Sequence, residues 1–158
     1  MYGVFYRLPH QMRHRIVRLI VPRYIVGSVV LVHDSEAPEP GRLLLLRQPP
    51  GHNWTLTAGL LRHREAPIDG AVRELHEESG IKLTPAELQP ATPNAVVHTK
   101  GWVDMVFHAY VPASTTELVA DGAEVFEVAW YPLNDLPRLS PATARLLGIY
   151  GIGPEATS

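Results

Sequence analysis

Cysteine is missing from all 158 residues. That one absence removes disulfides, thiolate zinc sites and cysteine nucleophiles together. An excess of either charge is missing as well: 14 Lys and Arg stand against 16 Asp and Glu, for a formal net charge of −2. With a pI near 6.4, nothing global suggests nucleic acid as a partner. The start of the chain has no apolar core followed by a cleavage site, and its first helical stretch is too short and too charged to span a bilayer. The sequence therefore predicts neither a signal peptide nor an anchor. Internal repeats and low-complexity segments are also lacking. What remains is 46% hydrophobic and 19% charged, the composition of one globular domain with a real core.

The most informative stretch runs from Gly59 to Ile81. Ile68, Ala71, Val72 and Leu75 recur at the period of a helix with one buried stripe, predicting a helix over Pro67 to Ser79. Pro67 suits its first turn, Asp69 puts negative charge near the positive end of the helix dipole, and Gly80 is a stop signal. At about 100° per residue, Glu74, Glu77 and Glu78 fall on one arc beside the apolar stripe. Three carboxylates so placed repel one another unless something neutralises them. A solvated acidic face eased by Arg73 is one reading; a cation site is the other.

Gly59, Glu65 and the run Arg73-Glu74-Leu75-His76-Glu77-Glu78-Ser79-Gly80-Ile81 resemble, position for position, the Nudix box. Trp54 upstream and a Glu-bearing strand ending at Trp130 extend the resemblance over most of the chain. It implies a single α/β domain, an α/β/α sandwich with a mixed, curved sheet. It also implies a hydrolase of a nucleoside diphosphate linked to another group, acting with Mg2+ or with Mn2+ as substitute. The chemistry agrees, because a pyrophosphate can approach several carboxylates only with a hard cation between them. Absence of cysteine argues against the related isoprenoid isomerases. Departures lie just before the helix: Thr57-Ala58-Gly59 and Arg64-Glu65 stand where relatives commonly read Pro-Gly-Gly and Gly-Glu. Ala58 can still offer a backbone carbonyl to metal, and Arg62, His63 and Arg64 make the loop basic, for phosphate binding or as a solvated turn.

Residues 9 to 21 read as a short helix with Met12, Ile16, Leu19 and Ile20 on one face and Arg13, Arg15 and Arg18 elsewhere, flanked by Arg7 and Arg23. Packing on the domain is the preferred expectation, a homodimer contact the second and a membrane surface the least favoured. Strands are predicted over Tyr24 to His33, Leu43 to Leu46, Trp54 to Thr57, Asn94 to Thr99, Trp102 to Val111 and Glu124 to Tyr131. Lys100-Gly101 would join a hairpin. Pro85 and Pro90 break the chain before it. Ser140-Pro141 caps a helix through Leu146, Leu147 and Tyr150. The chain thus divides into a basic amphipathic segment over 1–22, the Nudix-like domain over 23–153 and a loose tail over 154–158.

The resemblance also assigns roles. Glu77 and Glu78 are the first choice as metal ligands, with Glu74 a further ligand or the base that orients water. Arg73 positions these carboxylates and Glu65 anchors the loop or assists the metals, with Gly59 and Gly80 in structural roles. A ligand from outside the helix is expected, and Asp121, Glu124 and Glu127 are the candidates; counting back from Trp130 as in relatives selects Glu124 as metal ligand. Arg62, Trp54 and Trp102 are candidates for substrate contact. For Trp54 a core plug is the preferred reading over a wall of the site, while His98, Lys100, Trp102 and Asp104 read equally as a solvated hairpin. The places where relatives acting on ADP-ribose carry a proline and those acting on diadenosine polyphosphates a tyrosine hold Val96 and His98, so no substrate branch is supported. A cytoplasmic enzyme acting on a small diphosphate is the expected whole. A non-catalytic binding module of the same fold is the competing one.

Overall fold

The protein is described by a computed structural model over residues 9–49 and 51–157. Arg7 and the rest of residues 1–8, Pro50 in the loop before Trp54, and Ser158 of the tail lie outside the described residues. In chain order the elements are α1 (His10–Ile20), β1 (Ile25–Asp34), β2 (Arg42–Arg47), β3 (Trp54–Thr55), β4 (Thr57–Leu60), α2 (Pro67–Ser79), a 3-10 turn (Pro85–Glu87), β5 (Gln89–His98), β6 (Trp102–Val111), β7 (Glu127–Pro132) and α3 (Pro141–Ile149).

The β-branched run of β1 makes it the centre of a seven-stranded sheet, because a strand buried on both faces can be apolar throughout. The order is β3-β2-β1-β6-β5, with β4 also on β1 and β7 also on β2. Among the described strands β1 pairs with β6 in parallel and the other strand pairs are antiparallel. Period-two alternation then sends side chains to two separate cores. Val30, Val32, Leu44, Phe107 and Ala109 meet Ala71 and Leu75 of α2 on one face. On the other, Val29, Leu31, Leu43, Leu45 and Val106 meet Leu146 and Leu147 of α3. The expected α/β/α sandwich on a mixed sheet is what the chain forms.

Helix α2 has the predicted limits. Pro67 stands in its first turn, Asp69 near its start, and Gly80 ends it at φ 78° in the left-handed region, where its amide donates to the carbonyl of His76; only glycine enters that region at no cost. In α3, Ser140 accepts from the amide of Thr143 at 3.2 Å, the expected cap.

Five expectations need correction. The single strand over Trp54 to Thr57 is two short ones separated at Leu56, each with a different partner: β3 on β2 and β4 on β1. Pro90 does not break β5, which takes it in and shifts register between Pro90 and Ala95. The last strand begins at Glu127, so Glu124 lies in the loop before it. Helix α1 does not pack on the domain: it has no buried residue, and Leu19 and Ile20 are 82% and 76% exposed. Beyond α3, residue 155 returns toward the domain. A Cβ on Gly148 would lie 2.5 Å from the carbonyl oxygen of Glu155, so the segment read as a loose tail is in part laid against the helix.

Candidate active site

Three neighbouring pieces of chain build the site: β4, the turn at 61–66 and the exposed edge of α2. Arg73 is its hub. Its Nε and Nη2 donate to both oxygens of Glu65 at 2.7 and 2.9 Å, a bidentate pair, while Nη1 reaches the carboxylates of Glu74 and Glu77 and Nη2 also bonds the carbonyl of Leu60. Bidentate guanidinium–carboxylate pairing fixes direction as well as charge. The Arg73 guanidinium and the Arg62 amide hold the Glu65 carboxyl down at about 2, and the Glu65 and Glu74 carboxylates push Arg73 upward in return. Arg62, mostly exposed, pairs with Glu77 at 3.0 Å.

Glu74 lies across the backbone of β4. A Cβ at Gly59 would fall 2.0 Å from the Glu74 carboxyl carbon, so glycine is the residue that lets this carboxylate reach its place. Glu78 faces inward and is buried. One of its oxygens accepts from the Ala58 amide at 2.9 Å, the other from the Gln48 side-chain amide at 2.8 Å, and no cation pairs with it among the described residues. Burial, first, pushes its carboxyl up to about 8; the neighbouring Glu74 and Glu124 carboxylates add to the rise, and the two amides oppose it. Glu124 is therefore close enough to act on Glu78, although it comes from a distant loop. Asp121 accepts from the amides of Ala123, Glu124 and Val125 at 2.9 Å and so shapes that loop, while Glu127 pairs with Arg47 at 2.9 Å.

A cavity of about 230 Å³ adjoins Glu78 through Gln48 and Ala58, and Val29, Asp104, Thr143 and Leu146 complete its wall. Asp104 is held there by Trp102, whose Nε1 donates to it at 2.8 Å, and by His98 at 2.8 Å. The predicted hairpin side chains thus form a linked trio beside the cavity. A Cβ at Gly27 would lie 3.1 Å from the Gly59 carbonyl and 3.6 Å from Trp102 Nε1, so Gly27 allows the trio and β4 to approach each other. Trp54 behaves otherwise: 8% exposed, it packs edge-on against Tyr131 in the core under α3. A larger cleft of about 740 Å³ lies at the far end of α2 and carries the carboxylates of Glu77, Glu87, Glu117 and Asp121; of these only Glu77 belongs to the box, whereas the smaller cavity touches Gln48 and Ala58, the two hydrogen-bond partners of Glu78.

The structure brings together Glu65, Arg73, Glu74, Glu77, Glu78, Arg62, Ala58 and Gly59, with Glu124 nearby. Among the described residues, no three acidic or histidine side chains already surround one point as a metal set; Arg73 and Arg62 stand between the carboxylates. The donors nevertheless fit a hard divalent ion, since all are oxygens and Glu78 has no cation of its own. Sequence reasoning missed Gln48 and Gly27. A lone glycine in a β-branched strand signals close backbone approach, so Gly27 was detectable; Gln48, in a proline-rich loop, carried no signal.

The model of the NUDIX domain matches residues 23–148. A MutT-like protein of Streptomyces ambofaciens is 33% identical over 123 residues, covering 76% of either chain. A nucleoside triphosphate pyrophosphatase/Nudix hydrolase fusion protein of Bifidobacterium longum is 32% identical over 94 residues; that match covers 60% of this chain but only 19% of the fusion protein. The solved MutT NUDIX hydrolase of Burkholderia pseudomallei superposes with a TM-score of 0.60 at 27% identity, over 78% of this chain and 95% of that one. With the box complete and its carboxylates gathered at one edge of the sheet, the chain belongs to the NUDIX domain family, that of the Nudix hydrolases.

Proposed function

We propose that the chain hydrolyses the pyrophosphate bond of a nucleoside diphosphate linked to another group, with Mg2+, or Mn2+ in its place, as cofactor. The observation that carries this reading is Glu78, buried with no cation of its own among the described residues, beside Glu74, which Arg73 pairs, and acted on by the Glu124 carboxylate. Such a site is strained when empty of positive charge and suited to a cation with phosphate. A bound divalent ion would offset phosphate charge and acidify the attacking water. Glu77, Glu78 and Glu124, with the Ala58 carbonyl, are the residues we assign to hold it. Glu74, aimed across Gly59, is our base: the water oxygen bonds to one phosphorus, its proton passes to the carboxylate, and the bridging oxygen leaves on the other phosphate. Arg73 and Glu65 position Glu74 and Glu77. Arg62, at the exposed rim, is placed to contact phosphate. Asp104, held by Trp102, lines the space for the non-phosphate group, which at about 230 Å³ takes one ring system, below the ~300–1,000 Å³ that encloses larger ligands. Cytoplasmic nucleotides are the pool such an enzyme would draw on, and we place it there.

The test is a Mg2+ and Mn2+ titration against nucleoside triphosphates, nucleotide sugars, dinucleotides and prenyl diphosphates, reading release of monophosphate or phosphate. Turnover that needs the ion and is lost in Glu78→Gln is expected. Nucleotide binding by calorimetry with no turnover of any compound would establish the competing non-catalytic module instead.

A further inference from the structure

Helix α1 presents an apolar face that the domain leaves uncovered. At about 100° per residue, Met12, Ile16, Leu19 and Ile20 share one stripe, with Arg13 at one edge and Arg15 at the other; Met12, Leu19 and Ile20 are half to fully exposed, as are Val21, Tyr24 and Ile25 beyond the helix. Eleven residues with no side-chain cap and no buried face fall below the ~12–15 at which an isolated helix holds together in water. A surface that takes the stripe is therefore required for a persistent helix.

Charge decides which surface. The first 33 residues carry five Arg and no Asp or Glu, whereas residues 34–158 carry nine Lys and Arg against sixteen Asp and Glu. Four of these arginines, Arg13, Arg15, Arg18 and Arg23, thus lie on or just after a helix with no buried residue, next to a domain of opposite sign. A second copy would have to cover the stripe with apolar surface, yet among the described residues the other exposed large apolar side chains, Leu60, Val97, Tyr110, Val119, Phe126 and Ile149, are spread over five segments, with no more than two on any one. An anionic bilayer meets both demands, since apolar side chains enter the acyl boundary while flanking arginines reach back to headgroup phosphates.

We infer that α1 lies in the plane of an anionic lipid surface and holds the hydrolase domain there, as a peripheral and reversible attachment. The Ile25 amide donates to the carbonyl of Gly101 at 2.9 Å, so the linker after α1 is tied to the β5–β6 turn. The end of the site that carries His98, Trp102 and Asp104 is then the end nearest the lipid.

Co-sedimentation of the full chain with vesicles of phosphatidylglycerol, of phosphatidylcholine and of an equal mixture tests this. Binding to both phosphatidylglycerol-containing preparations, none to phosphatidylcholine alone, and release by salt are expected. Arg15→Gln with Arg18→Gln should weaken binding roughly 25-fold, about fivefold per guanidinium, and Leu19→Gln with Ile20→Gln roughly a hundredfold. Both pairs are exposed, so melting temperature should not move. No binding to phosphatidylglycerol overturns the inference. So does binding that ignores the Leu19 and Ile20 changes, which is attraction to any polyanion, nucleic acid included. A dimer in sedimentation velocity that the Leu19 and Ile20 changes abolish, without vesicle binding, gives the face to a second copy and overturns it as well.

Discussion

Helices α1 and α2 have the same kind of sequence and different fates. Each is short, amphipathic and edged with charge, yet Ala71 and Leu75 of α2 are fully buried while α1 buries nothing. The difference lies in what precedes and follows them. Helix α2 is entered from β4 and left through Gly80 toward β5, two points fixed on the sheet, so its stripe has one place to go. Helix α1 is followed by the linker Val21–Tyr24, which reaches the sheet only at Ile25, so among the described residues one end alone is fixed. Period reveals that a face will be covered; connection decides whether the domain itself covers it.

Charge separates the two helices most. If the acidic edge of α2 is a cation site and the basic edge of α1 a lipid contact, Glu77→Gln or Glu78→Gln should lower turnover about a hundredfold or more, comparable to the loss of an acid–base group, and raise the metal requirement. The α1 substitutions should leave turnover on a soluble substrate unchanged. Melting temperature of Glu78→Gln with chelator present should hold or rise, because a buried carboxylate beside two others is removed. Unchanged turnover in both single mutants at limiting Mg2+ would refute the ligand assignment. Gly59→Ala should also reduce turnover, since its methyl group and the Glu74 carboxylate claim the same space.

Packing offers the next contrast. Leu75→Ala should cost about 2–5 kcal/mol in urea unfolding, the range for a leucine removed from a closed core. Leu19→Ala should stay within about 0.5 kcal/mol, as for exposed sites. Equal losses would mean that α1 packs on the domain after all.

Smaller still is the acid response of the Glu65–Arg73 pair. Its carboxyl is held at about 2, below the ordinary 4.5, so its stabilising effect is complete above pH 4.5 and disappears as pH falls toward 2. Glu65→Gln should lower the melting temperature at pH 7 and flatten the decline between those values. A wild-type and variant difference that is constant over the window would contradict the pairing.

The sequence made the domain legible wherever one residue had to satisfy several demands together. Pro67, the Ile68–Leu75 stripe and Gly80 leave α2 no other form, and β1, apolar over consecutive positions, had to be central. Legibility ended where partners come from far along the chain. Gln48 reaches Glu78 across 30 positions, and no local pattern records it. Trp54 could be core or wall until the register of β3 on β2 and β7 on β2 brought Tyr131 against it. For α1 the pattern was read correctly and its destination was not, because the stripe states a need for cover without naming the cover.

Glu124 is the residue we assign to the α2 site from a loop rather than from the helix. Three acidic residues precede or begin β7, and geometry separates their duties. Asp121 accepts three backbone amides and Glu127 pairs with Arg47, whereas the Glu124 carboxylate contributes to the rise at Glu78. A regular strand would have set 124 and 127 on opposite faces; the strand instead starts at Glu127, so Glu124 has the freedom of a loop to turn toward α2. Glu124→Gln should reduce turnover about 10- to 100-fold, the scale for loss of a supporting group at a metal site, with the deficit shrinking as Mg2+ is raised. Glu127→Gln should release Arg47 at the sheet edge and change turnover less than twofold, because an exposed pair is worth roughly 0.2–1 kcal/mol to stability and touches no reacting group. A loss confined to Glu127→Gln, or none in either, would return Glu124 to solvent and leave the outer side of the site to another residue.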